Sequence, residues 1–142
     1  MTKQYDFELL AIGAGSGGLS VVERAASYGV SCAVIEKGKL GGTCVNVGCV
    51  PKKIMWFAAG LAHALNDAGD YGFNVTRNGF DWAQLVAKRE GYIQGINNWY
   101  KNYLADSKIA SINGFARFVD AHTLDVNGKK ITANRIVVAP WV

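Results

Sequence analysis

A mostly apolar run from Tyr5 to Ile12 ends abruptly in Gly13-Ala14-Gly15-Ser16-Gly17-Gly18, and a helical pattern follows at once. A strand that empties into clustered glycines and re-emerges as a helix leaves few folds open, because it is the first half of a βαβ unit. Leu19, Val22, Ala25, Ala26 and Tyr28 fit one helical face, and Gly29 supplies a left-handed stop. Ser31-Cys32-Ala33-Val34-Ile35 then reads as a short buried parallel strand finishing at Glu36. The glycines have separate tasks: Gly13 makes the tight turn, Gly15 lets a pyrophosphate approach the backbone, and Gly18 lets the helix press on the strand. Glu36, 18 residues past Gly18, stands where a carboxylate can accept hydrogen bonds from a ribose hydroxyl. A tight βα turn without a ligand, and Glu36 as a solvated strand end, are the alternatives.

The second constraining stretch is Leu40-Gly41-Gly42-Thr43-Cys44-Val45-Asn46-Val47-Gly48-Cys49-Val50-Pro51-Lys52-Lys53, which sets two cysteines five residues apart. On a regular helix such a pair has Cα atoms roughly 8 to 9 Å apart, whereas a disulfide needs about 4.4 to 6.8 Å. Gly48 between the cysteines and Pro51 after them permit local unwinding that brings the sulfurs together. A bridge in such a turn is easily reduced, which suits a catalytic disulfide. Two unpaired buried thiols, or half of a metal site completed from Cys32, His63 and His122, are the other readings; zinc cysteines usually stand two to four residues apart. Lys52, three residues after Cys49, can bring its ammonium beside an electron carrier that the cysteine faces, or stay in solvent; Lys53 reads as exposed.

Ile54 to Leu65 continues as a long apolar helix ended by Asn66 to Asp70, with Met55, Trp56 and Phe57 expected to pack in the core. Tyr71 to Phe80 reads as a polar loop with one short strand over Gly72 to Val75. Asp81 caps a helix, with Gln84 three residues on. That helix, Trp82 to about Ala105, carries Leu85, Val86, Tyr92, Ile93, Ile96, Tyr100, Tyr103 and Leu104 at near-helical spacing; Gly91 and Gly95 within it predict close packing on a neighbour. Short strands follow over 109–113, 114–119, 123–126 and 130–139, with Asn127-Gly128 a type I′ turn; they predict a small antiparallel meander that rejoins the parallel sheet through Arg135 to Ala139. His63 and His122 stand singly and carry no chemistry.

The 15 basic and 11 acidic residues are scattered, which argues against a nucleic-acid partner. No apolar run reaches the roughly 18 to 20 residues of a membrane span, and the polar start is unlike a secretory signal, so the chain reads as cytoplasmic. In that reducing compartment a disulfide is catalytic rather than structural. With 142 residues, half of them hydrophobic, the chain is one small domain or a piece of something larger.

The glycine turn, Glu36 and above all Gly41 to Lys53 resemble the N-terminal part of the FAD-dependent pyridine nucleotide-disulfide oxidoreductases, and the likeness covers nearly the whole chain. Val50-Pro51-Lys52-Lys53-Ile54-Met55-Trp56 and Gly114-Phe115-Ala116-Arg117-Phe118 most resemble the bacterial type of the glutathione reductase branch. The resemblance implies a Rossmann-like α/β domain with a parallel sheet and a small meander, spanning 1–142. It implies FAD along Gly13, Gly15, Ser16, Gly17 and Gly18, with Ser16 near the pyrophosphate, Glu36 on the adenosine ribose, Gly42 and Thr43 beside the cofactor and the Ala116 backbone at the adenine. Cys49 would face the flavin as the charge-transfer thiolate, Cys44 would touch the cofactor and attack the oxidised substrate, Lys52 would sit by the reactive flavin nitrogen, and Tyr100 would stand at the disulfide-substrate site.

The implied activity is NADPH-dependent reduction of glutathione disulfide by a homodimer, without a metal. Dihydrolipoamide, trypanothione, thioredoxin or mercuric reductase types, a truncated non-enzymatic flavin-binding module, and an NAD-binding Rossmann protein are the alternatives; the last leaves the cysteines unexplained. After Ala139 the family continues with threonine and two glycines, whereas Pro140-Trp141-Val142 follow here. The NADPH and interface domains are also missing, so the piece alone is expected to bind FAD weakly and not to turn over.

Overall fold

The computed structural model describes residues 5–140. Strand β1 (Phe7–Ile12) leads into helix α1 (Ser16–Ala26) and strand β2 (Cys32–Glu36). Two helices carry the cysteines: the five-residue α2 (Gly42–Asn46) and the long α3 (Cys49–Asp67), which runs into a 3-10 turn over Ala68–Tyr71. Helix α4 (Trp82–Asp106) follows a loop, and the chain ends in β3 (Ala110–Asn113), β4 (Ala116–Asp120), β5 (Thr123–Val126) and β6 (Lys129–Val138). Trp141 and Val142, part of the terminus that departs from the family pattern, lie outside the described residues.

The six strands form one mixed sheet in the order β3-β2-β1-β6-β5-β4. β1 pairs in parallel with β2, placing Leu10 beside Ala33 and Ile12 beside Ile35. β6 carries two pairings: Lys129 to Thr132 run antiparallel to β5, whereas Ala133 to Val138 run parallel to β1. The meander is therefore β4-β5-β6. The segment expected as its first strand, β3, instead extends the parallel sheet beside β2, with Ile35 opposite Ile112. The Asn127-Gly128 turn has both φ angles positive, 54° and 84°, as a type I′ hairpin requires.

Strand alternation divides the core between the two faces of the sheet. Ala11, Cys32 and Val34 meet Leu19 and Val22 of α1 and Leu104 of α4 on one face. Leu10, Ala33 and Ile35 meet Leu124, Val126 and Ile131 of the meander on the other. α1 is pressed close because Gly18 lies against the Gly13 carbonyl, where any Cβ would overlap the oxygen. Gly13 itself turns at φ +104°, with the backbone of Ala139 occupying the place of a side chain.

Three expectations are corrected. α3 has no buried residue: Met55 is half-buried, but Trp56, Phe57 and Leu61 are 68%, 57% and 62% exposed, because among the described residues this helix packs mainly on α2, the 3-10 turn and α4. Gly91 and Gly95 face open space instead of a packed neighbour. No strand forms over Gly72 to Val75. The Asp81 cap is present, its Oδ1 accepting the Gln84 amide at 2.9 Å.

Candidate functional site

Parallel sheets open a crevice at the carboxyl ends of their strands, where the connecting loops diverge. β1, β2 and β6 end together here, and the loops after them wall a cleft of about 900 Å³. That volume falls in the range of cofactor and ligand pockets. Gly13, Gly15, Ser16 and Gly17 line it from the first loop and Glu36 from the end of β2. Gly42, Thr43, Cys44 and Cys49 line it from the cysteine segment, and Ala116 from β4.

The first loop presents donors. α1 starts at Ser16, with Gly15 at the cap position giving no side-chain cap and no acidic residue in the first turn, so its leading amides and the positive end of its dipole face the cleft unopposed. Such a terminus is an anion site, and a pyrophosphate suits it. Gly18 does not line the cleft; it is buried and serves packing alone.

Glu36 is a junction. Its Oε2 accepts the Ala14 amide at 2.8 Å and its Oε1 accepts the Gly38 amide at 2.8 Å. Its backbone carbonyl accepts the Gly114 amide at 3.0 Å and Asn113 Nδ2 at 3.3 Å. The carboxylate thus ties the glycine turn to the loop after β2, and each oxygen keeps capacity for a further donor such as a ribose hydroxyl.

The two thiols come from separate helices. α2 stops at Asn46, Val47 and Gly48 leave the helical region, and α3 restarts at Cys49. Gly48 is needed at this break, since a Cβ there would stand 2.9 Å from the Thr43 carbonyl oxygen and 3.3 Å from the Cys44 Cα. The break folds Cys49 back on Cys44. Both are thiols here, Cys44 half-buried and Cys49 exposed. Hydrogen bonding between the two side chains, followed by burial, pushes the Cys44 thiol above the ordinary range. Cys32 is remote from this pair, buried in the first core with its Sγ donating to the Val30 carbonyl at 3.2 Å; burial raises its pKa.

Two residues singled out from sequence stand apart. Lys52 lies in the first turn of α3, exposed, and does not line the cleft. Tyr100 is half-buried against the first core. Its phenol is pushed up by burial, by Glu23 and by Cys44, so it senses the Cys44 sulfur without entering the cleft. His122 has a structural place, its Nδ1 3.0 Å from the Ala133 carbonyl oxygen, and His63 is exposed on α3. Among the described residues no group of histidines, cysteines and acids could hold a metal.

Sequence reading missed Lys37, Lys39, Phe115 and Phe118, all in the cleft wall. Lys37 Nζ stands 5.7 Å from the centroid of the Phe115 ring, and Arg117 stands at the same distance from that ring. For Lys37, Lys39 and Phe115 the available signal was their place in loops just after strand ends; Phe118 lies within β4 and had none.

A glycine turn at the head of a parallel sheet, sharing a cleft with a facing pair of thiols, defines a dinucleotide-binding fold with thiol redox chemistry beside it. The chain belongs to the pyridine nucleotide-disulphide oxidoreductases, whose sequence profile matches residues 7–140. It is similar to the chloroplastic/mitochondrial glutathione reductase of Pisum sativum, 38% identical over 148 aligned residues that cover 96% of this chain and 27% of that protein. The chain therefore spans little more than a quarter of that relative's length. Flavin binding goes with the family, and the uncapped α1 terminus, the Glu36 carboxylate and the size of the cleft fit FAD.

Proposed function

We propose that this chain is the N-terminal part of the FAD-binding domain of a disulfide reductase that uses NADPH to reduce glutathione disulfide. The observation that carries the proposal is that Cys44 and Cys49 interact with each other and open onto the same cleft as the α1 N-terminus. Likeness to a glutathione reductase supports the substrate. A homodimer and a reducing, cytoplasmic setting belong to the same proposal for the whole protein.

In this reading the α1 amides hold the FAD pyrophosphate, Glu36 receives a ribose hydroxyl, and the Ala116 backbone borders the adenine. When bound, the flavin supplies two-electron transfer between a nicotinamide and sulfur. The thiols do the exchange. Cys44 loses its proton and attacks one sulfur of glutathione disulfide, forming a mixed disulfide and expelling one glutathione thiolate. Cys49 then attacks the Cys44 sulfur, closing the Cys44–Cys49 disulfide and expelling the second. The Cys44 thiol is held above the ordinary range, so the first attack accelerates as pH rises through that raised value.

Fluorescence titration of the chain with FAD and separately with NAD tests the cofactor. FAD is expected to bind, weakly in this piece, and NAD not measurably. Binding of NAD without FAD would overturn the flavin reading.

A further inference from the structure

Asn97 of α4 is the buried polar residue among those described, and its partners lie in the segment that carries the redox thiols. Its Nδ2 donates to the Leu40 carbonyl at 2.8 Å and to Asn46 Oδ1 at 3.1 Å. Asn46 Nδ2 donates in turn to the Leu40 carbonyl at 3.0 Å and to the Gly42 carbonyl at 2.8 Å. Carbonyls only accept, so both amide orientations follow: Asn46 must turn its nitrogen to the backbone and its oxygen to Asn97. That leaves Asn97 Oδ1 buried with no partner. A buried acceptor left unmade offsets part of what the two bonds from Nδ2 contribute.

What the amide does is hold α2. A five-residue helix cannot stand on its own backbone bonds. α2 is fastened at its last residue, Asn46, two positions after Cys44, and just before its start through the Leu40 carbonyl. Both ties end on Asn97.

We propose that Asn97 is a positioning residue for the thiol pair, fixing α2 through Asn46 and Leu40 so that Cys44 faces Cys49 across the Gly48 break. The proposal rests on the redox reading above. The groups near Cys44 are Cys49 from α3 and, one turn beyond Asn97 on α4, Tyr100, with Glu23 of α1 acting on that phenol.

The test uses the full chain equilibrated in mixtures of glutathione and glutathione disulfide, with the bridge quantified by mass spectrometry. The two thiols and one glutathione disulfide give the Cys44–Cys49 disulfide and two glutathiones, so atoms and electrons balance. Asn97→Leu, near-isosteric but without donors, is expected to lower the equilibrium constant by about fivefold or more. Asn46→Leu should do the same, and the double variant should be no worse than the worse single, because both cut one link. In parallel, the pH midpoint for alkylation of Cys44 by iodoacetamide is expected to fall in Asn97→Leu toward that of an ordinary thiol.

A role in packing alone would lower the melting temperature and move neither readout, and that result would overturn the proposal. A wild-type pair that does not oxidise while the Cys44 midpoint still falls would sink the redox reading and leave the positioning intact. Should Asn97→Leu fail to fold, Asn97→Ser keeps one donor and is expected to shift both readouts in the same direction by less. No shift in that variant would equally count against the role.

Discussion

The Glu36 carboxylate accepts the Ala14 amide at 2.8 Å, so the end of one parallel strand holds the glycine turn at the end of the next. Its other oxygen holds the Gly38 amide. Glu36→Gln would keep one acceptor and turn an N–H group toward a second donor. The site is partly exposed, so a loss of about 1 to 2 kcal/mol in urea unfolding is expected, the low end for charge-assisted bonds. FAD binding should weaken with it. Full retention of both would show that the carboxylate is not the junction described.

Glycines in similar sequence settings should respond in opposite directions. Gly18→Ala would drive a methyl group into the Gly13 carbonyl oxygen, and a loss of about 1 to 3 kcal/mol or more is expected. Gly91→Ala and Gly95→Ala meet nothing within 4 Å on the exposed face of α4. Each should stabilise by about 0.5 to 1 kcal/mol, since alanine loses less backbone freedom in a helix. Thermal melts of the three variants decide it, and destabilisation by the α4 substitutions would mean that those glycines pack against something after all.

Asp6 joins the start of β1 to β6. Its Oδ2 accepts the Thr132 amide at 2.8 Å and the Thr132 hydroxyl at 2.9 Å. The Thr132 backbone amide first, and then the hydroxyl, hold the Asp6 carboxyl below its usual 3.8. A lowered folded-state pKa means that the native state binds fewer protons, so this contribution is present above the unfolded value and lost as pH falls through the folded one. Asp6→Asn should therefore reduce the melting temperature most at neutral pH, with the gap closing as pH falls below the usual 3.8 and through the lowered folded-state value. A gap independent of pH would contradict this assignment.

The βαβ opening was legible because its signals are local: an apolar run, a glycine turn and a periodic helix follow one another in the chain. The Asp81 cap and the Asn127-Gly128 turn were legible for the same reason, each set by residues within one turn of themselves. What failed was long range. An apolar stripe such as Trp56, Phe57 and Leu61 reads as core only if another element covers it, and sequence spacing does not say whether one does. The segment that became β3 was expected in the meander, but its partner is β2, more than 70 residues earlier. In the site, the motif placed the thiols near each other. It did not disclose Asn97, whose partners are 51 and 57 positions away.

Oxidation of the reduced chain with glutathione disulfide, followed by peptide mapping without reduction, probes the thiol pair directly. A disulfide joining Cys44 to Cys49 is expected, with two glutathiones released per chain and Cys32, 2% exposed, left as a thiol. Stable glutathione adducts on Cys44 or Cys49 without the internal bridge, or a bridge that uses Cys32, would contradict the pairing on which the disulfide reductase account stands.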